Sequence, residues 1–174
     1  MKQLTQVSLS IALVWVLIGC KKAPEFPKTP QISFLSLNKQ TIYQNNGAGS
    51  TKKVDSVTIA LYFKDGNGDL GRSDGIENYF CKVLHKVNDH FEEIKDTVEN
   101  TIVNRNGSFM PLSPDGKAAP IEGTLYYGPN VDFGGYIIDT IYTLKFQTYI
   151  QDNAGNNSNI IETPEITVHV YDSK

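Results

Sequence analysis

Residues 63–71 read Phe-Lys-Asp-Gly-Asn-Gly-Asp-Leu-Gly. Three oxygen-bearing side chains, Asp65, Asn67 and Asp69, alternate with glycine. That composition suits a hard divalent cation. Calcium takes about six to eight oxygen ligands, carboxylates foremost, on a flexible loop. Glycine tolerates positive φ, which lets successive side chains turn toward one point. The spacing is not that of a helix–loop–helix calcium site. The sixth position is Leu70 where a glycine is needed, the twelfth is Ile76, and Glu77 falls one residue late. Asp, Asn and Gly are also the ordinary residues of tight turns, so a cation cradle and a plain turn both remain open here. The local stretch supplies three ligands at most, and the remainder must come from elsewhere in the chain.

Other reactive residue types are sparse. Cys81, His85 and His90 are the only thiol and imidazoles near one another. On a strand, residues 81 and 85 share a face but stand about 13 Å apart at roughly 3.3 Å per residue. Zinc ligands lie about 2.0–2.3 Å from the metal, so these residues are not expected to share one. No Gly-x-Ser-x-Gly elbow, His-Glu-x-x-His pair or phosphate-binding loop occurs. Glu92 and Glu93 are adjacent and point to opposite faces of a strand. The expectation is a protein that is not an enzyme.

The elements that must position these groups begin after an export signal. Lys2 is followed by the apolar run Val7–Gly19 and then Cys20, the charge-then-apolar order of a secretory signal. Leu17-Ile18-Gly19-Cys20 resembles the bacterial lipobox. The resemblance implies cleavage after residue 19 and covalent lipid on Cys20, giving a membrane anchor. Residues 20–30 carry prolines at 24, 27 and 30 and read as an extended tether, and one folded domain is expected over 31–174. Removing Lys2 leaves 15 basic against 19 acidic residues, a formal charge of −4. With no basic cluster, nucleic acid is not an expected partner. Lipidation of Cys20 would leave Cys81 alone, so the domain must be held by its core and not by a disulfide.

The domain reads as strands. Residues 54–64 alternate, with Val57, Ile59, Leu61 and Phe63 on one face, the period of a half-buried antiparallel strand. Residues 141–151 repeat the pattern with Tyr142, Leu144, Phe146 and Ile150 inward, and Ile166, Val168 and Val170 continue it. Weaker strands are expected at 32–37, 78–87 and 121–127. Asn106-Gly107 signals a hairpin turn, and 113–117 a further turn. Residues 89–100 lack a helical apolar stripe and read as strand or irregular insertion.

Many short strands separated by turns indicate an antiparallel β-sandwich. The stretch 141–171 resembles the last two strands of fibronectin type III and bacterial immunoglobulin-like domains. The pair 56–71 and 152–159 resembles a group of Bacteroidota lipoproteins. The chain lacks the cysteine pair and core tryptophan of antibody domains, and its length implies extra hairpins between 88 and 120. In such a sandwich the B–C and F–G loops share a pole, which brings Asp152 beside Asp65 and Asp69 as a further calcium ligand. Asp74, Asn153 and Asn156 are candidates to add oxygens. The stretch 125–136 holds Tyr126, Tyr127, Phe133 and Tyr136 among glycines, at the pole opposite the tether. These rings either bind a sugar or protein partner or straddle the strand and pack over the sandwich end.

The expected protein is an exported outer-membrane lipoprotein of the cell envelope, facing the periplasm or the surface. Its immunoglobulin-like domain binds or scaffolds an envelope protein or glycan without catalysis, stabilised by Ca2+. The alternative is a carbohydrate-binding accessory lipoprotein.

Overall fold

A backbone that alternates its side chains across a sheet buries every second residue, and strand β2 (Thr51–Asp65) shows the result. Val57, Ile59, Leu61 and Phe63 are all buried and form one wall of the core. The computed structural model describes residues 24–45, 51–95, 101–113, 116–129 and 140–171. Among these the structure is all-β, in antiparallel sheets with no helix.

Strand β1 (Gln31–Asn45) pairs with β2 over its whole length, from Gln31↔Lys64 to Asn45↔Thr51, with a bulge at Phe34/Ser36. Strand β5 (Ile121–Tyr127) lies on the other side of β2 and pairs with its second half, Ile59↔Tyr127 to Asp65↔Ile121. This gives a three-stranded sheet, β1-β2-β5. The second sheet is built on β3 (Tyr79–Val87) and β6 (Thr140–Ile150), paired from Tyr79↔Ile150 to His85↔Leu144. Strand β4 (His90–Glu93) flanks β3, and the short β7 (Ile161–Glu162) and β8 (Ile166–Val170) share the far side of β6. Pro164 separates those two, because proline cannot donate to a ladder. At that break Thr163 takes over, donating its N–H to Phe146 O (3.0 Å) and accepting the Phe146 N–H on its hydroxyl (3.0 Å).

The two sheets contribute one apolar core, a β-sandwich-like arrangement. Val57, Ile59 and Leu61 meet Tyr79, Val83, Leu144, Phe146, Ile150 and Val168. Burial of apolar surface, at roughly 25 cal/mol per Å2, is the main force holding the sheets together. The core includes Cys81, whose thiol burial pushes up to about 12. It is therefore held as the neutral thiol, a poor nucleophile.

The Asn106-Gly107 hairpin expected from sequence is not formed. The tight turn falls instead at Asn88-Asp89, where Val87 pairs with His90 and Asn88 takes φ 55°. Residues 104–107 run as a ribbon along the edge of β3. Gly107 exchanges both backbone hydrogen bonds with Tyr79, at 2.8 and 3.0 Å. Glycine at 107 lets the ribbon pack closely on the Tyr127 ring, since a Cβ there would stand 2.8 Å from it and the ring would have to shift.

Tyr79 stacks on Tyr127 with centroids 3.9 Å apart. The Tyr127 hydroxyl donates to the carbonyls of Arg105 and Asn106, whereas the buried Tyr79 hydroxyl makes no hydrogen bond of ordinary geometry and has only a loose contact with Thr148, whose own hydroxyl donates to Phe80 O. A buried hydroxyl without a partner carries a desolvation cost of about 1–3 kcal/mol. Tyr79→Phe is therefore expected to leave the denaturation midpoint unchanged or raise it. A loss above about 1 kcal/mol, the net worth of an ordinary hydrogen bond, would show that the hydroxyl is bonded in solution.

Candidate functional site

The end of β2, the start of β1, the start of β5 and the end of β6 meet at one pole of the sandwich. The loop that leaves β2 there, 65–71, is fastened on several sides. Leu70 is buried in the core cluster and bridges to Asp152. The Asn153 N–H donates to Asp69 O (3.1 Å), and its side-chain amide donates to Gly71 O (3.0 Å). The Leu112 N–H donates to Leu70 O (3.0 Å). Gly68 and Gly71 adopt φ of 70° and 91°, the left-handed region where glycine is at no disadvantage. Both also lie against backbone, since a Cβ would stand 2.4 Å from Ala119 O and 2.1 Å from Met110 O respectively.

These constraints decide where the carboxylates go. Asp65 is 0 % exposed. Its Oδ2 accepts the Asp69 N–H at 3.1 Å, while Oδ1 is buried with no partner. Asn67 Oδ1 and Asp69 Oδ1 are likewise buried with no partner. Asp152 is 1 % exposed, and both its oxygens are engaged by Asn156, the backbone N–H at 2.7 Å and the side-chain amide at 2.8 Å. Burial is the main cause that raises the carboxyl pKa of Asp65. The charges of Asp69 and Asp152 add to it against the backbone N–H groups of Gly68 and Asp69. Burial also raises the Asp69 carboxyl, helped by the charge of Asp152 and opposed by the Asn67 amide. Three acids thus share one pole with three buried acceptor oxygens unused.

Such oxygens are what a hard divalent cation takes, and a native fold rarely leaves buried acceptors without partners. The unused set is two carboxylates and one amide. Among the described residues no three His, Cys, Asp or Glu side chains form a group able to hold a metal ion. Asp152 is engaged through both oxygens by Asn156. It contributes charge to the pole, and a direct bond from it would require the 152–156 turn to yield. A cleft of about 220 Å3 opens beside the loop, bordered by Asn67, Asp69, Pro111, Ala118 and Asn153. It gives a hydrated ion a way in and room for the waters that would complete its shell.

The other candidates separate. Asp74 turns outward to Arg72 (2.7 Å) and leaves the cluster. Asn156 donates its side-chain N–H to Asp152 and Asn153 donates its own to Gly71, which keeps both residues at the pole and uses their nitrogens, not their oxygens. Tyr126 is 71 % exposed on β5, whereas Tyr127 faces inward and is half-buried against Tyr79. Adjacent tyrosines on one strand are divided between its two faces. Cys20, Phe133 and Tyr136 lie outside the described residues.

One polar residue that sequence pattern does not single out as a site proves central. Asp55 of β2 is 4 % exposed. It accepts hydrogen bonds from the Thr41 hydroxyl (2.6 Å) and the His169 N–H (2.8 Å), and pairs with Lys39 at 3.3 Å. It thereby ties both strands of the β1–β2 hairpin to β8 of the opposite sheet. Its signal is parity alone, an acid at the core-facing positions shared by 57, 59, 61 and 63. Comparison with protein-family models, with curated proteins and with solved structures finds no match to the chain.

Proposed function

We propose that the chain is an exported lipoprotein whose immunoglobulin or fibronectin-III-like sandwich is a non-catalytic binding or scaffolding module, stapled at one pole by calcium. The observation that carries the cation is the set of buried, partnerless oxygens on Asp65, Asn67 and Asp69. The strand orders β1-β2-β5 and β4-β3-β6-β7 support the fold reading, since they follow the A-B-E and C′-C-F-G pattern of such domains. Asp65, Asn67 and Asp69 hold the ion, with Asp152 adding negative charge. The ion's work is structural, drawing like charges together and fastening the loops that end β2 and β6.

The anchor rests on the charged start, apolar run and Leu-Ile-Gly-Cys of residues 1–20. Two or more acyl chains hold a protein stably on a membrane where one is marginal, and the outer membrane is the membrane proposed. Mass spectrometry of the native protein is expected to show a chain beginning at Cys20 and bearing acyl groups. An unmodified Cys20 would remove this part of the reading.

Calorimetric titration tests the cation. Calcium is expected to bind one site in the range of about 10⁻⁴–10⁻³ M, as in extracellular modules, and Asp69→Asn is expected to show no heat. Wild-type protein that shows none either would end the calcium reading. A second reading, carbohydrate binding, is favoured by the exposed ring of Tyr126, and glycan arrays distinguish it from a protein-binding module.

A further inference from the structure

The loop that carries the unused oxygens is also the surface on which the chain's own tether rests. The Gly66 N–H donates to Pro27 O at 2.8 Å. A Cβ at Gly66 would stand 2.3 Å from Phe26 O and 2.7 Å from Pro27 O, so only glycine lets the tether lie this close. Phe26 is half-buried, with the Lys64 ammonium 5.2 Å from its ring centre. Pro30 is buried just before β1 begins. The tether is therefore held at three points across the end of β2 and the first residue of the loop.

Gly66 sits between Asp65 and Asn67, two of the residues proposed to hold the ion. When their oxygens converge on one cation, the peptide between them is fixed and its N–H points at Pro27. Without the ion, the charges of Asp65, Asp69 and Asp152 oppose one another. The loop is fastened at Asp69, Leu70 and Gly71, so the relief falls on its first residues, 65–67, and their movement withdraws that N–H.

We infer that the cation controls the docking of the membrane-proximal tether, so that Asp65, Asn67 and Asp69 form a switch for how the domain stands on its anchor as well as a staple. The inference rests on the calcium reading above. Extended chain covers at most about 3.3–3.6 Å per residue. From an anchor at Cys20, a released tether spans up to about 35 Å to residue 30, and a docked one about 20 Å to Phe26. Calcium would hold the domain close to the membrane, and its removal would let the domain reach further.

Trypsin cleavage after Lys28, an exposed residue inside the docked segment, reads the switch on the full chain in detergent. Fragments beginning at Thr29 are counted by mass spectrometry. Calcium is expected to slow this cleavage by about fivefold or more relative to chelator, the lower range of typical site-to-site coupling. Phe26→Ala lies outside the loop. It is expected to cleave fast with or without calcium, to keep a calcium-dependent rise in melting temperature, and to bind calcium more weakly, since coupling between two sites is reciprocal. Gly66→Ala should push the tether off from the loop side with the same loss of protection. If calcium raises the wild-type melting temperature and leaves Lys28 cleavage unchanged, the switch is overturned and the staple stands. If Phe26→Ala retains full calcium-dependent protection, the switch is also overturned. If calcium changes neither quantity in wild type, the cation reading fails and the switch fails with it.

Discussion

Calcium at about 5 mM is expected to stabilise the chain by about 1–2 kcal/mol, taking a dissociation constant of about 10⁻⁴–10⁻³ M and binding to the folded state alone. For a domain of this size each kcal/mol moves the melting temperature by about 2–4 °C. Asp69→Asn is expected to abolish that response. It keeps the side-chain volume and removes one of three crowded charges, so the calcium-free variant should melt above calcium-free wild type. The two effects have opposite signs and one cause. Burial and the charge of Asp152 already disfavour the ionised Asp69, and a cation reverses that preference. Equal melts for wild type in chelator and in calcium would contradict the staple. So would a calcium-free Asp69→Asn variant that melts below wild type, because repulsion among the acids would then be outweighed by what the Asp69 carboxylate contributes without an ion.

Asp55→Ala is expected to be the most damaging single change at a polar residue, at about 1.5–3 kcal/mol, the range for hydrogen bonds to a charged group. The substitution leaves the His169 N–H and the Thr41 hydroxyl without their acceptor and loosens the β1–β2 hairpin from β8. Asp55→Asn keeps an acceptor and should cost less. The effect has a definite pH dependence. Burial by itself would raise the Asp55 carboxyl, but the hydrogen bonds from Thr41, the His169 N–H and Lys39, with the Lys39 charge, outweigh it and hold the group below its ordinary value. A carboxyl whose folded pKa is depressed contributes stability above its unfolded pKa, about 4, and loses it as pH falls through the folded value. The difference between wild type and Asp55→Ala should therefore be constant from neutrality to about pH 5 and shrink below about pH 4. A difference as large at pH 3 as at pH 7 would show that packing, not the charge, is what Asp55 supplies.

Much of this architecture is legible from local pattern. Residues 57, 59, 61 and 63 alternate without a break and are buried in that order. Residues 121–127 read as a strand and form β5 with those bounds. Asp65, Asn67 and Asp69 are visible as a cluster of oxygens because they lie within five residues of one another. The errors are equally specific. Asn106-Gly107 has the composition of a turn, yet it is used for close approach to Tyr127, a residue twenty positions away. β7 is two residues long, and the Thr163 hydroxyl takes up the pairing where it ends, so no periodicity announces it. Tyr126 and Tyr127 look alike in sequence, and strand parity sends one to solvent and the other to the core.

The reason lies in the range of the forces involved. Alternation, turn composition and the Asp-x-Asn-x-Asp spacing are properties of neighbouring residues, and backbone sterics alone translate them into strands and a loop. By themselves they establish the all-β class and the presence of an acidic turn. Which oxygens end without a donor, that Asn156 engages Asp152, that Asp55 reaches His169, and that Pro27 lies on Gly66 are contacts between segments up to 114 positions apart. Those depend on how two sheets pack and where their ends meet. Each is decided by a few kcal/mol of burial and hydrogen bonding that no local pattern encodes.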